Sequence, residues 1–399
     1  MTVTAPTDTP AELELSDPSR PVYLDCNATT PAEPRVAKEV LKWTCEEFGN
    51  AGSRTHTYGQ VAKERVVLAR RQVAEVVDAH PDEVVFTSGA TESNNLALLG
   101  LALFGERNGR KHIISTQIEH KAVLEPLEQL SHRGFEVSLV PPTRGGWVKP
   151  DHIRAALRPD TLVVSVMGVN NETGVIQPIE EIASCLSGHE AFLHVDAAQA
   201  FGKTIDLLRN PRIDLTSVSG HKIYGPKGIG ALIARRRKFN RIPIEPLMFG
   251  GGQERGLRPG TLPVALIAGL GMASALAIDE KVSRRKRCQA MQAQALAALK
   301  PLGIAVNGDI DRTIAHTLNI SVPGVDSEAA IVALKDVAAV SNGSACTSQS
   351  YEPSHVLKAA KLPAEQISGA LRFSWSHLTP EIDWEGISER LCGLMPAPK

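Results

Sequence analysis

Short apolar runs that alternate with helical segments constrain the fold of this chain more than any other feature. The runs Val84–Phe86, Leu162–Val166 and Phe192–Val195 are rich in β-branched or aromatic side chains. Such runs are typical of strands in a parallel sheet that helices cover on both faces. Segments with helical spacing follow them, and we expect one helix over Glu92–Leu103. The pattern therefore predicts an α/β domain with a mostly parallel sheet.

The pattern becomes sparser after residue 300, which indicates a second domain. Glu280–Leu299 is a charged, alanine-rich segment that can link the two domains as a helix. Strands expected at His316–Val322 and Leu371–Trp375 predict a smaller α+β domain. The first residues are rich in Thr, Pro, Asp and Glu, a composition typical of disorder. We therefore expect a disordered segment 1–20, a large domain 21–280 and a small C-terminal domain 281–399.

Charge and cysteine usage restrict the partners and the compartment. The 399 residues carry 43 basic and 44 acidic side chains, so the formal net charge is -1. Such a chain has no global field to attract nucleic acid or an anionic membrane, and we expect neither as a direct partner. The first twenty residues lack the layout of a secretion signal, and no apolar stretch approaches transmembrane length. Six scattered cysteines predict reduced thiols and a cytoplasmic protein.

Small and hydroxyl residues follow the first buried strand. Ser88-Gly89-Ala90-Thr91 lies between the strand Val84–Phe86 and the next expected helix. Free backbone N–H groups and the helix dipole make such a helix N-terminus a site for an anion such as phosphate. The alternative is an ordinary helix cap in which Ser88 or Thr91 supplies the capping oxygen.

An aspartate follows the buried strand Phe192–Val195 directly. Asp196 is costly to bury at that position unless it is paired with a cation or well hydrogen-bonded. A protonated pyridine nitrogen is one such partner, and Gln199 just beyond it can donate to a ring hydroxyl. A carboxylate that caps the following helix explains Asp196 equally well.

A histidine and a lysine complete a set of polar groups at strand ends. His120 follows the strand Ile113–Ile114, and its imidazole can stack on a cofactor ring and move protons. Lys222 ends the run Ser219–Lys222 after an apolar strand, where a partly buried amine can form a Schiff base with an aldehyde cofactor. Each alone has an ordinary structural explanation. Together with the other groups they follow strands of one parallel sheet, whose carboxyl ends bind ligands.

These positions carry motifs that resemble those of the cysteine desulfurases, pyridoxal 5′-phosphate enzymes of the aminotransferase-like fold (fold type I). The resemblance extends from Tyr23 to about Ile387 and implies pyridoxal 5′-phosphate as the cofactor. The motifs are Leu24-Asp25, Ala28–Pro31, Thr87–Ser93, Glu119–Lys121, Val169–Glu172, His194–Ala197 and Ser219–Lys222.

The resemblance implies a role for each site residue. Thr261 resembles the threonine that reaches the phosphate of a neighbouring subunit, which implies a homodimer. The other cofactor-binding residues would be Lys222 as the Schiff-base lysine, His120 as the stacking acid–base group, Asp196 on the ring nitrogen, Gln199 on the ring hydroxyl, Asn171 beside the substrate, and Ala90, Thr91, Ser219 and His221 on the phosphate.

Cys346 distinguishes this chain from other enzymes of the fold. It lies in Ser341–Ser348, among small residues that predict a loop, whereas a structural cysteine would sit in an apolar periodic run. The resemblance implies that Cys346 is the nucleophile that takes sulfur from L-cysteine and releases L-alanine. Arg372 resembles the arginine that binds the substrate carboxylate, with Asn171 as its helper. The chain departs from many relatives at Trp375-Ser376-His377.

The destination of the sulfur and two other functions stay open at this point. The chain most resembles the desulfurases of bacterial DNA phosphorothioation systems, while most of this branch supplies iron–sulfur cluster assembly or tRNA thiolation through a sulfur-acceptor protein. A pyridoxal-dependent aminotransferase or a cysteine, cystine or selenocysteine lyase would share the cofactor residues without needing Cys346. A sulfur-carrier scaffold that has lost catalysis is the third possibility.

Overall fold

A seven-stranded sheet forms the centre of the larger part of the molecule. The structure is a computed structural model that describes residues 20–343 and 353–397. Strands and helices are numbered along the chain. The strands are β1 Val22–Tyr23, β2 Val84–Thr87, β3 His112–Thr116, β4 Glu136–Val140, β5 Thr161–Met167, β6 Phe192–Asp196, β7 Leu215–Ser219, β8 Gly230–Ala234, β9 Ala305–Val306, β10 Thr317–Ser321, β11 Ala338–Ala339 and β12 Ala370–Ser374.

The order of the large sheet is β2-β8-β7-β6-β5-β3-β4, and β8 runs antiparallel to both of its neighbours. The pairs β6–β7, β5–β6, β3–β5 and β3–β4 are parallel. Every residue of β5 and of β6 is buried, as expected for strands covered on both faces. The predicted α/β architecture with a mostly parallel sheet is confirmed.

Helices cover the sheet, and one predicted helix is wrong. The segment expected to form a single helix over Glu92–Leu103 is broken at Gly100, whose carbonyl accepts a hydrogen bond from Glu245 N (2.9 Å) instead of continuing the helix. No helix in the described ranges is long and apolar enough to cross a bilayer. The helices are α1 Pro34–Cys45, α2 Thr57–Val76, α3 Ala90–Leu99, α4 Ala102–Arg107, α5 Lys121–His132, α6 Pro150–Ala156, α7 Ile179–Cys185, α8 Ile205–Leu208, α9 Val264–Asp279, α10 Lys281–Leu299, α11 Ser327–Leu334, α12 His355–Ala359, α13 Ala364–Ser368 and α14 Trp384–Cys392.

A second core lies in the C-terminal part. The antiparallel strands β9, β10 and β12 form a three-stranded sheet. Trp375 is buried beside it and packs edge-to-face against Trp384, with ring centroids 5.9 Å apart. Strand β1 pairs with β11, so Leu24 belongs to this core although it precedes the large sheet in the chain. The domain boundary at residue 280 stays a prediction.

The topology of the large sheet positions the site. Strands β3, β5, β6 and β7 run parallel, and β2 runs in the same direction on the far side of β8. Their carboxyl ends therefore lie at one edge of the sheet. The residues after these ends include the polar groups that the sequence analysis selected.

Candidate active site

A cavity of about 550 Å³ opens at the carboxyl edge of the sheet. Segments that follow β2, β3, β5, β6 and β7 form most of its wall, together with the turn at Ala28 and Thr29. The structure thus brings together residues that are far apart in sequence. Nine predicted site residues line the cavity: Ala90, Thr91, His120, Asn171, Asp196, Gln199, Ser219, His221 and Lys222.

The N-terminus of α3 forms one end of the cavity. Gly89 is the N-cap residue and no side chain caps the helix, so neither Ser88 nor Thr91 plays the capping role considered above. The backbone at Gly89 lies close to Gly230 on β8. Only glycine fits at position 230, because a Cβ there would lie 2.6 Å from the Gly89 Cα. The free N–H groups and the positive end of a ten-residue helix suit a phosphate.

Asp196 lies at the end of β6 and is 5% exposed. Its two oxygens accept hydrogen bonds from neutral donors: Oδ1 from Ala198 N (2.9 Å) and Oδ2 from Asn94 Nδ2 (2.7 Å). A carboxylate held in this way keeps its charge available for a cationic ring nitrogen in the cavity. Sequence reasoning missed Asn94, although it lies one helical turn after Ala90 on α3.

The orientation of the Gln199 amide is fixed from both sides. A charged lysine amine has no acceptor atom, so the group that Lys203 Nζ contacts at 3.0 Å must be the amide oxygen, Gln199 Oε1. Gln199 Nε2 donates to the Asn27 carbonyl (2.8 Å). The second N–H of this amide is therefore left for the cavity, in agreement with a role as a donor to a ring hydroxyl.

Lys222 lies in a short turn directly after β7. Its Nζ donates to the carbonyls of Asn27 (2.5 Å) and Ala28 (2.7 Å), which hold the amine at the cavity wall. Next to it, His221 Nδ1 lies 3.1 Å from Thr29 Oγ1. Burial, with the charges of Lys222 and a second lysine, lowers the pKa of His221 to about 4. His221 is therefore a neutral hydrogen-bonding group at neutral pH.

His120 caps the N-terminus of α5. Its Nδ1 accepts a hydrogen bond from Ala122 N (3.0 Å), and because a backbone N–H can only donate, the ring hydrogen of neutral His120 must lie on Nε2. Burial, assisted by the charge of Lys222 and opposed by that of Asp196, lowers the pKa of His120. The side chain is therefore neutral at neutral pH and presents an Nε2–H donor.

Arg372 lies beside the cavity and contacts one of its lining residues. The side chain is buried, and its guanidinium donates to Asp25 Oδ1 (2.5 Å) and to the Asn171 carbonyl (3.0 Å). Thr261 is exposed and is not among the cavity-lining residues of this chain. Cys346 lies outside the described residues.

Two buried acids near the site, Glu119 and Glu172, belong to the family motifs but have no predicted role. Glu119 accepts hydrogen bonds from Thr116 Oγ1 (2.6 Å) and Met167 N (3.0 Å), and burial raises its pKa to about 8. Glu172 is 3% exposed, and burial likewise raises its pKa. Their position next to His120 and Asn171 in the sequence is the signal that could have selected them.

Comparison with known proteins identifies the class. The family model described as Aminotransferase class-V matches residues 22–384. Cysteine desulfurase IscS of Dechloromonas aromatica is 47% identical over 362 residues, which are 90% of this chain and 89% of that protein. The crystal structure of DndA from Streptomyces lividans is 53% identical, with a TM-score of 0.78 over 88% of this chain and 98% of that one. A structure of SspA in complex with cysteine is 34% identical, with a TM-score of 0.78 over 90% and 100%.

The chain therefore belongs to the aminotransferase class-V family. The predicted fold and the predicted cofactor, pyridoxal 5′-phosphate, are confirmed. Within the family the chain is a cysteine desulfurase, as the sequence motifs predicted. The cavity fits the cofactor, because it offers an uncapped helix N-terminus for the phosphate, a carboxylate for the ring nitrogen and an amine for the aldehyde.

Proposed function

We propose that this enzyme converts L-cysteine to L-alanine and places the sulfur on Cys346 as a persulfide, from which an acceptor protein takes it. One observation carries the proposal. The amine of Lys222, the carboxylate of Asp196 and the imidazole of His120 face a single cavity beside the uncapped end of α3. A lyase or an aminotransferase would share this arrangement, so the assignment to sulfur transfer depends on Cys346.

Pyridoxal 5′-phosphate supplies an electron sink for the substrate carbon that loses its proton. The residues of the chain hold it in the state that this task requires. Asp196 would hold the ring nitrogen in its protonated form, because Asn94 and Ala198 already orient the carboxylate. Gln199 would donate to the ring hydroxyl, and the N–H groups of Ala90 and Thr91 would bind the phosphate together with Ser219 and His221.

Proton transfer falls to two groups in the cavity wall. Lys222 Nζ is the base that takes the α-proton of the substrate. His120 is neutral and carries its hydrogen on Nε2, the ring nitrogen that Ala122 leaves free, so it faces the cavity as a proton donor and hydrogen-bond donor. The Arg372 guanidinium binds the substrate carboxylate, since its planar fork suits that group and Asn171, its neighbour, lines the cavity.

The sulfur step balances without an external oxidant. The Cys346 thiolate attacks the substrate sulfur, so an S–S bond forms as the C–S bond of the substrate breaks. The electron pair of that C–S bond stays on carbon, which takes up a proton and leaves as L-alanine. Ser341, five residues before Cys346 in the chain, supports the role of Cys346 as the nucleophile. Its backbone pairs with that of Arg372, the residue proposed to bind the substrate carboxylate.

The enzyme acts as a homodimer in this proposal. Two apolar side chains in the segment that precedes Thr261 in the chain are strongly exposed, Phe249 at 88% and Met248 at 45%. A second copy of the chain would cover such a surface. It would also give the exposed Thr261 the role that the family resemblance implies, at the phosphate of the neighbouring site. A cytoplasmic location belongs to the same proposal.

DNA phosphorothioation is the proposed destination of the sulfur. The chain resembles desulfurases of those systems in its motifs, and its identity to DndA is 53%, against 47% to IscS. Deletion of the gene should abolish phosphorothioate in the host DNA and leave iron–sulfur enzymes active. Loss of iron–sulfur enzyme activity with normal phosphorothioate would assign the enzyme to the other pathway.

The reaction itself is tested with the purified holoenzyme. L-Cysteine should give one L-alanine for each sulfur released, and alkylation followed by peptide mass spectrometry should locate a persulfide on Cys346. Release of free sulfide with no protein-bound persulfide would favour a lyase. A colourless protein that cannot be loaded with cofactor would favour the scaffold.

A further inference from the structure

Glu119 is a buried acid that the proposed reaction does not use. It comes directly before His120, between β3 and α5, and it is 0% exposed. Its Oε1 accepts hydrogen bonds from Thr116 Oγ1 (2.6 Å) and from Met167 N (3.0 Å). Thr116 is the last residue of β3, and Met167 is the last residue of β5. One carboxyl oxygen therefore joins the ends of two neighbouring strands.

Met167 is also the strand partner of a cofactor-binding residue. In the parallel pair β5–β6 it is in register with Asp196, whose carboxylate is oriented by two donors of its own. The sheet therefore holds Asp196 independently of Glu119. What the Glu119 carboxyl adds is the attachment of the turn that carries His120 to the same strand end.

Two further contacts hold the residues just before His120 through their backbone carbonyls. Asn170 Nδ2 donates to the Ile118 carbonyl (3.1 Å), and His355 Nε2 donates to the Glu119 carbonyl (2.9 Å). Asn170 lies after β5 and His355 is the first residue of α12, so neither belongs to the sheet. Of these contacts, the Glu119 carboxyl is the one that reaches a strand.

The carboxyl of Glu119 acts as a neutral group. Its Oε2 is buried and has no hydrogen-bond partner among the residues that the structure describes. A charge on such an oxygen would be costly, and burial, with the nearby charge of Asp196, raises the pKa of Glu119 to about 8. Since Oε1 accepts from two donors, the hydrogen of the neutral acid lies on Oε2. A glutamine amide has the same shape and the same arrangement of acceptor and donor.

We propose that Glu119 is a positioning residue that holds His120 in place at the cavity wall by tying its turn to the end of β5. The proposal rests on the function proposed above, in which His120 is a proton donor. Because the His120 ring caps α5, a shift of this turn moves the imidazole with it. A misplacement of about 1 Å can cost on the order of 10²-fold in rate. The contacts from Asn170 and His355 remain without the carboxyl, so we expect a loss nearer to about tenfold.

A residue that acts only through His120 has a distinctive kinetic signature. Once His120 has been replaced, loss of Glu119 should have no further effect, so the two losses should not add. The cofactor should still bind, because Asp196 and Lys222 keep their own contacts. A residue that merely supports the fold would lower activity equally in both backgrounds.

The test measures L-alanine formation by variants of the holoenzyme, and titration of each apoenzyme with pyridoxal 5′-phosphate gives the cofactor affinity. Glu119→Leu removes both hydrogen bonds, Glu119→Gln keeps them in a neutral group, and Thr116→Val removes one donor. His120→Gln, combined with E119L and with T116V, completes two double-mutant cycles. Thr161→Val is the matched control, a buried threonine at the amino end of β5 whose Oγ1 accepts from Arg158 N (2.9 Å).

We expect alanine formation to fall about tenfold or more in E119L and about fivefold in T116V, with unchanged cofactor affinity. E119Q and T161V should stay within about twofold of wild type, because they keep the contacts to the His120 turn. In the H120Q background, E119L and T116V should cause no further loss beyond about twofold.

Three results would overturn the positioning role: a wild-type rate in E119L, an E119Q as slow as E119L, or a loss in E119L that is as large in the H120Q background. A parallel loss of cofactor affinity would do the same. If E119L does not fold, T116V decides alone, and a wild-type rate or an effect that adds to that of H120Q would count against the role. The proposed function fails by a different result, alanine formation by Cys346→Ser at the wild-type rate.

Discussion

The cavity at the sheet edge and the contacts that hold the start of α12 are built in different ways. In the cavity, functional groups follow five strands of one sheet, so the backbone of the core holds them. At the start of α12, the chain is held by two side-chain contacts, from Ser354 to Glu172 and from His355 to the Glu119 carbonyl. The first region binds and activates the substrate. The second joins the start of α12 to the segments that follow β3 and β5.

This difference separates two kinds of failure. Changes in the cavity should stop the enzyme before sulfur moves, and they should alter the cofactor spectrum. Changes at Glu172 or Ser354 should leave the cofactor spectrum intact, because neither side chain is among the residues that line the cavity.

Lys222→Ala should have the largest effect. Loss of the amine removes both the covalent attachment of the cofactor and the base for the α-proton, so alanine formation should fall by on the order of 10⁴-fold or more. Absorbance spectroscopy should show loss of the yellow band of the bound cofactor, with Lys227→Ala as a cavity-lining control that keeps it. An unchanged spectrum in K222A would remove this lysine from its role.

His120→Gln should slow catalysis about 10³-fold with little change in cofactor binding. Glutamine can accept the Ala122 hydrogen bond, but it cannot exchange a proton. In the wild type, the rate should fall only at a pH below the ordinary histidine value of about 6.5, because burial lowers the pKa of His120 and its neutral form is the active one. An acid limb above that value, or one that persists in H120Q, would contradict the assignment.

Acid should destabilise the sheet through His194. This side chain is buried between Ser165 Oγ (2.8 Å) and Ser217 Oγ (2.9 Å), and burial lowers its pKa to about 4. The unfolded chain binds the proton at about 6.5 and the folded chain only near pH 4, so stability is lost as pH falls between these values, by up to about 3 kcal/mol. Chemical denaturation at several pH values measures this loss. A His194→Gln variant with the same acid slope would contradict it.

Lys203→Met should have the smallest effect. The change removes the group that orients the Gln199 amide, but the Asn27 carbonyl still holds Nε2. We expect cofactor affinity to fall about threefold to tenfold. Titration of the apoenzyme with pyridoxal 5′-phosphate measures this change, and Lys203→Arg should restore most of the affinity. A loss as large in K203R would mean that packing, and not the hydrogen bond, is responsible.

Local signals at strand ends made much of the site predictable. Asp196 is the last residue of β6 and Lys222 lies three residues after the end of β7, and parallel strands bring such residues to one edge. Contacts between distant segments left no such signal. The Asn27 carbonyl meets Lys222 across 195 residues, and Ser354 meets Glu172 across 182. The break at Gly100 also depended on a distant segment, the one that contains Glu245.

The most direct test of the central claim uses Cys346→Ser in a single turnover with L-cysteine. Absorbance should follow the substrate on the cofactor, while quenched samples report alanine and protein-bound persulfide. The account predicts a wild-type absorbance response, no persulfide and a loss of alanine of at least about 10³-fold. Alanine formed by C346S at the wild-type rate would contradict it.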